Sequence, residues 1–298
     1  IIPELLQSDC NANKIYKKPL TLWVQDLWPE SVYAYGFKKT KFLSIFLDIF
    51  IKFIYKKVTT IAISSKGFES KLRPYVNKSL KIIYLPNWAD DLDENPKKIR
   101  LSLDNLIHFT FAGNIGKVQN LENIINAFSL LSNNLQYKAQ LNIIGDGSNL
   151  ESLKHIANKN PSIVFHGKKN RENMAQYYQA SDFLIVSLVD KPIFSVTVPA
   201  KTQTYIAAKK PILAIINGDT ADIVKYNSLG ICANPSEIIG ISDVFKKCIE
   251  MSKNERDCFV MNNDYLLETV FNKNKTIDEL LYLLIGKKVD SSESQTNL

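Results

Sequence analysis

Short apolar runs rich in β-branched residues recur along the chain, each followed by a polar or glycine turn and then by a segment of helical period. This alternation predicts βα units feeding a mostly parallel sheet, an α/β fold. The spacing predicts strands over residues 20–24, 59–64, 81–85, 108–112, 140–144, 162–165, 183–187 and 211–216. Their nearly unbroken apolarity fits strands buried on both faces. Helical periodicity fills the gaps at 41–56, 121–131, 149–158, 171–179, 201–208, 221–226, 238–251 and 276–284. No fixed-length repeat accompanies the pattern. The most apolar stretch, 42–55, is broken by Asp48 and Lys52 and falls short of the about 20 residues that a bilayer-spanning helix needs.

Between the third and fourth strands, the stretch 90–100 is charged, contains a proline and lacks apolar periodicity, as an interdomain linker does. At about 150 residues per domain, a chain of 298 residues fits two domains or one large one. The polar, Ser-rich tail 287–298 is expected to be disordered. A composition of 45% hydrophobic and 22% charged residues excludes disordered, collagen-like and mucin-like classes. The net charge of +7 is spread along the chain, so it favours anionic ligands or an anionic membrane surface without marking a nucleic-acid binder. Cys10, Cys232, Cys248 and Cys258 show no C-x-x-C spacing and no neighbouring histidine cluster, which fits reduced thiols in a cytoplasmic protein. The chain opens on Ile1 without a signal peptide, as expected of a sequence that starts inside a longer gene product or is truncated.

Several segments carry candidate chemistry, each beside a plainer reading. Gly113-Asn114-Ile115-Gly116-Lys117 ends a strand and leads into a helix beginning near Asn120. Its backbone N–H groups and Lys117 suit a phosphate, and an ordinary two-glycine turn fits equally well. Gly145-Asp146-Gly147-Ser148 follows the next strand and reads better as a structural turn, with Ser148 or Asn149 as helix cap. Pro199 sets the first turn of a helix whose Lys201 and Thr204 share a face, an arrangement for holding an anion and a hydroxyl or simply an amphipathic helix. Asp26 stands at the end of a strand, where open α/β sheets bind ligands, with Trp28 as a flat wall for a sugar ring; a helix-capping role for Asp26 weighs the same. The histidines His108, His155 and His166 assemble neither a nucleophilic triad nor a metal motif. Asp91-Leu92-Asp93 reads as a solvated acidic run rather than a metal site.

In order along the chain, Gln25-Asp26-Leu27-Trp28-Pro29-Glu30-Ser31, Leu85-Pro86-Asn87-Trp88-Ala89-Asp90, Gly113-Asn114-Ile115-Gly116-Lys117, Ile144-Gly145-Asp146-Gly147, His166-Gly167 and Pro199-x-Lys201-x-x-x-Tyr205 resemble the bacterial GT-B glycosyltransferases of family four. Within that family the likeness is to the O-antigen and capsule polysaccharide subgroup, including N-acetyl-fucosamine transferases, and it runs from about residue 19 to 285. The resemblance implies two Rossmann-like domains with parallel sheets facing a cleft, the N-terminal one incomplete here. It divides the chain into a partial acceptor-side domain at 1–95, a nucleotide-sugar donor domain at 96–270, a helix crossing back at 271–286 and the tail. It further implies glycosyl transfer with retention from a nucleotide-diphosphate sugar, UDP-sugar favoured, to a lipid-diphosphate-linked saccharide acceptor. No metal or other cofactor is expected, and the leaving diphosphate carries the developing charge. Localisation would be cytoplasmic. Separately, Lys38, Lys39, Lys41, Lys52, Lys56 and Lys57 around the apolar stretch 42–55 fit peripheral contact with an anionic leaflet at the inner face of the membrane, or a helix packed in the N-terminal domain with its lysines in water.

Carried over residue by residue, Gly113, Asn114 and Lys117 fall on the family's diphosphate loop, and Lys201 opens its second phosphate-facing helix. His166, Gly167 and Lys168 border the nucleotide base, while Thr204 stands where the family has its ribose-binding Glu. The family's paired acids would occupy positions 196 and 204, and this chain has Val196 and Thr204 there. No histidine precedes His108, so the N-terminal catalytic histidine has no counterpart; Gln25 or Asp26 sits at the corresponding strand end, with Asp26 the candidate catalytic group. A catalytically silent nucleotide-binding or assembly protein of the same pathway is the alternative. GT-B-shaped sugar-nucleotide epimerases fit less well, since they line their sites with histidines.

Overall fold

The computed structural model describes residues 19–285 apart from 35, 37, 90, 94, 103, 104, 132 and 137. Expectations for residues before 19 and for the tail 287–298 lie outside the described residues. The chain separates into two compact units, residues 1–88 with 270–298, and residues 89–269.

In the first unit β1 (Thr21–Val24) leads through α1 (Glu30–Ala34) and α2 (Lys41–Tyr55) to β2 (Thr60–Ile63), and α3 (Phe68–Leu72) leads to β3 (Lys81–Tyr84). The strands are parallel in the order β1-β2-β3, with Leu22 opposite Ile61 and Ile61 opposite Ile82. Ile61, Ala62 and Ile63 are buried because the middle strand has neighbours on both edges and helices over its faces. Helix α2 starts where the Thr40 hydroxyl accepts a hydrogen bond from the Leu43 amide at 3.2 Å, a side-chain N-cap. It buries Leu47, Ile51, Ile54 and Tyr55. Trp23 ties the first strand to the chain after the third, its indole N–H donating to the Leu85 carbonyl at 3.0 Å.

The second unit runs β4 (Ile107–Ala112), α4 (Leu121–Ser129), α5 (Asn133–Gln136), β5 (Ala139–Ile144), α6 (Leu150–Ile156), β6 (Ile163–Gly167), α7 (Met174–Gln179), β7 (Phe183–Ser187), α8 (Ala200–Ala207), β8 (Ile212–Ile215), α9 (Asp219–Tyr226), β9 (Gly230–Ala233), α10 (Ile238–Glu250), α11 (Lys253–Cys258) and α12 (Asn263–Thr269). A further helix, α13 (Lys273–Ile285), groups with the first unit. The six strands of the second unit are parallel in the order β6-β5-β4-β7-β8-β9. Chain direction across the sheet therefore reverses between β4 and β7, the doubly wound arrangement whose crevice lies beyond the carboxyl ends of those two strands.

β5 and β7 are buried at every position, including the polar Gln140 and Asn142 of β5 and Ser187 of β7. On one sheet face α4 and α10 bring Phe128 and Phe245 onto Phe109 and Phe183. The ring centroids are 4.8 Å apart for Phe109–Phe245, 5.3 Å for Phe128–Phe245 and 5.3 Å for Phe109–Phe183. All four rings are fully buried, so Phe245→Ala leaves a cavity that its neighbours cannot fill. Urea denaturation is expected to show a loss of about 3–5 kcal/mol; a loss under about 1 kcal/mol would mean that the cluster is not packed this way.

Several local features differ from the sequence pattern, among them the short helices α1, α3, α5 and α12. The ninth strand, Gly230–Ala233, was not expected, because four residues opening on glycine at a half-buried sheet edge leave little apolar signal. α11 is polar all round and shows only in its cap, where Ser252 and Glu255 bond reciprocally: Ser252 N–H to Glu255 Oε2 at 2.8 Å and Glu255 N–H to Ser252 Oγ at 3.3 Å. The segment expected as one helix over 171–179 begins as a 3-10 turn, Arg171–Asn173, and becomes α-helical from Met174. Asn149 stands at the N-cap of α6 but makes no side-chain cap hydrogen bond.

Candidate functional site

Three neighbouring strands of the second unit end in glycines at positive φ, Gly113 at 137°, Gly145 at 143° and Gly167 at 66°. Their loops are laced by backbone hydrogen bonds. Gly113 N–H donates to Ile144 O at 2.8 Å, Gly145 N–H to Gly167 O at 3.0 Å, and Ile115 N–H to Asp146 O at 2.8 Å. The approach is so close that a Cβ on Gly145 would lie 1.8 Å from Gly113 O, and one on Gly147 would lie 2.4 Å from Ile115 O. The second glycine turn is therefore the brace that holds the first loop in shape, and only glycine fits it.

Helix α8, which follows β7 across the switch point, delivers Lys201 to the same loop. A Cβ on Gly113 would meet Lys201 Cε at 2.6 Å and Nζ at 2.7 Å. The ammonium also lies 3.7 Å from the centre of the Phe111 ring. Desolvation pulls its pKa down to about 7, even though the ring face favours the charged form. The protein thus holds a poorly hydrated cation against exposed backbone at the carboxyl edge of the sheet, an arrangement that an incoming anion relieves.

A cavity of about 820 Å³ opens over these loops, lined among others by Gly113, Asn114, Gly145, Asp146 and Gly147. It is also lined by Lys168, Lys169, Arg171 and Glu172, from the segment between β6 and α7, and by Tyr178 of α7. Sequence reasoning missed Lys169, Arg171, Glu172 and Tyr178. A run of three cations just past a strand end was the available signal.

The expected site residues are placed unequally. Gly113, Asn114 and Lys168 line the cavity, while Lys201 is not itself among the lining residues and lies buried against the Gly113 loop. Lys117 is exposed on the 3-10 turn Lys117–Gln119 beyond the loop and is not among the lining residues. Gly167 belongs to the lacing through its carbonyl. His166 turns into the domain, its Nε2–H donating to Asn142 Oδ1 at 2.8 Å, while Asn142 Nδ2 lies 3.4 Å from His108 Nδ1. Burial first, then the nearby Lys169 and His108, lower the His166 pKa, so the ring is held neutral against that amide. Thr204 is buried, and its hydroxyl donates to the Ala200 carbonyl of its own helix at 3.2 Å. Val196 lies in the 3-10 turn Phe194–Val196, so neither position of the family's acid pair carries a carboxylate; Asp146 and Glu172 are the carboxylates of the cavity wall.

Asp26 belongs to the other unit, on the bend after β1. It lies four residues before α1 starts at Glu30, too far ahead to be its N-cap residue. Although the residue is exposed overall, partial desolvation of the carboxyl raises its pKa. Beside it the Asn87 amide donates to Gln25 Oε1 at 2.8 Å, joining the loops after β1 and β3.

With this geometry in place, comparison with known proteins gives a consistent result. Residues 93–263 match the family described as "Glycosyl transferases group 1". The chain is 25% identical over 242 residues to "Probable glycosyltransferase WbjE" of Pseudomonas aeruginosa, a match covering 77% of this chain and 60% of that protein. It is 30% identical over 245 residues to glycosyltransferase MJ1069 of Methanocaldococcus jannaschii, covering 80% of this chain and 61% of that protein. The chain therefore spans about three fifths of the length of these relatives. Among solved structures, HepE of Anabaena in complex with UDP and glucose superposes with a TM-score of 0.68 at 13% identity, over 94% of this chain and 75% of that one. The shared fold is the α/β GT-B fold that the motifs implied.

Proposed function

The chain belongs to the glycosyl transferases group 1, and from that premise we propose that it moves a sugar, with retention at the anomeric carbon, from a UDP-sugar to a lipid-diphosphate-linked saccharide in surface-polysaccharide assembly. The observation that carries this reading is the Lys201 ammonium pressed against Gly113 at the switch point of the sheet. A diphosphate laid over the Gly113 and Gly145 loops meets that cation and replaces the hydration it lacks. As the glycosidic bond to the diphosphate breaks, negative charge grows on the leaving oxygen, and a pre-positioned cation in a poorly hydrated site stabilises that charge more than water does. Lys168, Lys169 and Arg171 add positive charge to the cavity lining. HepE, which was solved with UDP and glucose, supports the choice of UDP.

In this reading the positive charge at the diphosphate comes from side chains, so the reaction needs no metal. Asp26, with its raised pKa, is the proposed catalytic carboxylate of the acceptor-side unit. Release of UDP from a panel of UDP- and GDP-sugars, with a polyprenyl-diphosphate saccharide as acceptor, tests the proposal. Turnover is expected with a UDP-sugar and is expected to survive EDTA. Asp26→Asn should lower turnover at least about tenfold, the low end of general acid–base contributions being larger still, and leave UDP affinity unchanged. UDP binding without turnover would favour the silent nucleotide-binding reading, and the absence of UDP binding would remove both.

A further inference from the structure

Among the described residues, nothing covers one apolar face of helix α2. Leu47, Ile51, Ile54 and Tyr55 are its buried residues. Phe42 is 83% exposed, Ile45 52%, Phe46 57%, Ile49 64% and Phe53 55%. These five stand at i, i+3, i+4, i+7 and i+11, which on an α-helix is one stripe about 17 Å long at 1.5 Å per residue. The stripe contains no polar residue. Isolated exposed apolar side chains are ordinary, but a contiguous run of this kind marks a contact surface.

The charges around the stripe identify the partner. Lys38, Lys39 and Lys41 are exposed at its amino end, and Lys52 and Lys56 are exposed at its carboxyl end. Lys57 lays its ammonium over the Phe53 ring at 4.0 Å from the centroid. Asp48 is the one acidic residue in the helix, and it is half-buried and accepts a hydrogen bond from the Tyr75 hydroxyl at 3.3 Å. An apolar strip with cations at both ends and no acid on its face suits lipid tails below and anionic headgroups beside them, with the lysine stems reaching outward. A second copy of the chain would bring six like charges against six. No described helix is long and apolar enough to cross a membrane, so the contact would lie in the interface plane.

We propose that α2 is the element that seats this protein on an anionic bilayer, with Phe42, Ile45, Phe46, Ile49 and Phe53 entering the headgroup–acyl boundary. The proposal deepens the reading above, whose lipid-linked acceptor would lie at a membrane, yet it is measured independently of that reading, since lipid binding and UDP binding are separate experiments on separate units.

Flotation with vesicles of phosphatidylcholine containing about 30% phosphatidylglycerol tests it. The wild-type protein is expected to float with these vesicles, at least about tenfold more than with pure phosphatidylcholine, and to be released by high salt. The double variant Phe46→Asp, Ile49→Asp should lose at least about tenfold in partitioning, with its thermal midpoint and UDP affinity unchanged because both positions are exposed. Failure of the wild-type protein to float overturns the proposal. So does a double variant that floats as well as wild type, or a concentration-dependent dimer that the double variant abolishes while the wild type ignores vesicles.

Discussion

Lys201→Ala is expected to weaken UDP-sugar binding about 10- to 100-fold, the range for a hydrogen bond to a charged group lost from a poorly hydrated site. Lys117→Ala, at an exposed side chain, should cost less than about tenfold, because water and salt screen it. The two lysines are equal partners in the sequence motif, so this inequality comes from the structure alone. Removing Lys201 should also not unfold the protein. Its folded pKa, about 7, lies below the 10.5 of the free side chain, so between those values the unfolded chain binds more protons and stability rises with pH. Below pH 7 the full cost of burying the ammonium is present. Lys201→Met is therefore expected to match or exceed the wild type in urea at neutral pH, where it binds UDP poorly. A variant that loses stability and binding together would show Lys201 to be a structural residue.

Gly145→Ala should have the largest structural effect at the site. The added methyl would sit 1.8 Å from Gly113 O and 2.9 Å from its carbonyl carbon, at a φ of 143° that alanine rarely adopts. Backbone strain and overpacking together amount to roughly 2–5 kcal/mol, and the only relief is to move the Gly113 loop away from β5. UDP affinity is expected to fall with stability, because the displaced loop is the one that Lys201 touches. Gly167→Ala is the control. Its φ is 66° but nothing lies within 4 Å of the added carbon, so only the left-handed backbone cost of about 1–2 kcal/mol applies. Equal effects at the two positions would mean that the loops are not laced as described.

Much of this site was legible before the structure. Nearly unbroken apolar runs marked eight strands, because both faces of a parallel sheet are covered, and the loops after the fourth and fifth strands were marked by their glycines. What the sequence left hidden depended on contacts between distant segments. Gly145-Asp146-Gly147 read as a plain turn because its role is to support Gly113 from a neighbouring strand, and no local pattern records that. The residues around Lys201 left it open between an anion site and an ordinary amphipathic helix, and only the resemblance placed it at a phosphate. Its burial arises only when α8 lays it over Phe111. The family resemblance placed His166 beside the base, and the sixth strand was expected to end at residue 165. The strand runs on to Gly167, which puts His166 within the sheet and turns its ring to Asn142.

Proton uptake by calorimetry, with a UDP-sugar titrated in buffers of different ionisation enthalpy, addresses the Lys201 contact most directly, since the diester diphosphate does not titrate near neutrality. With an apo pKa of about 7, Lys201 is mostly neutral at pH 8 and must be charged beside the diphosphate, so uptake approaching one proton per ligand is expected there, falling close to zero at pH 6. Affinity should correspondingly weaken as pH rises above 7, and Lys201→Ala should abolish the uptake. Binding at pH 8 with no proton uptake, at an affinity that Lys201→Ala leaves unchanged, would contradict the placement of the diphosphate against this lysine.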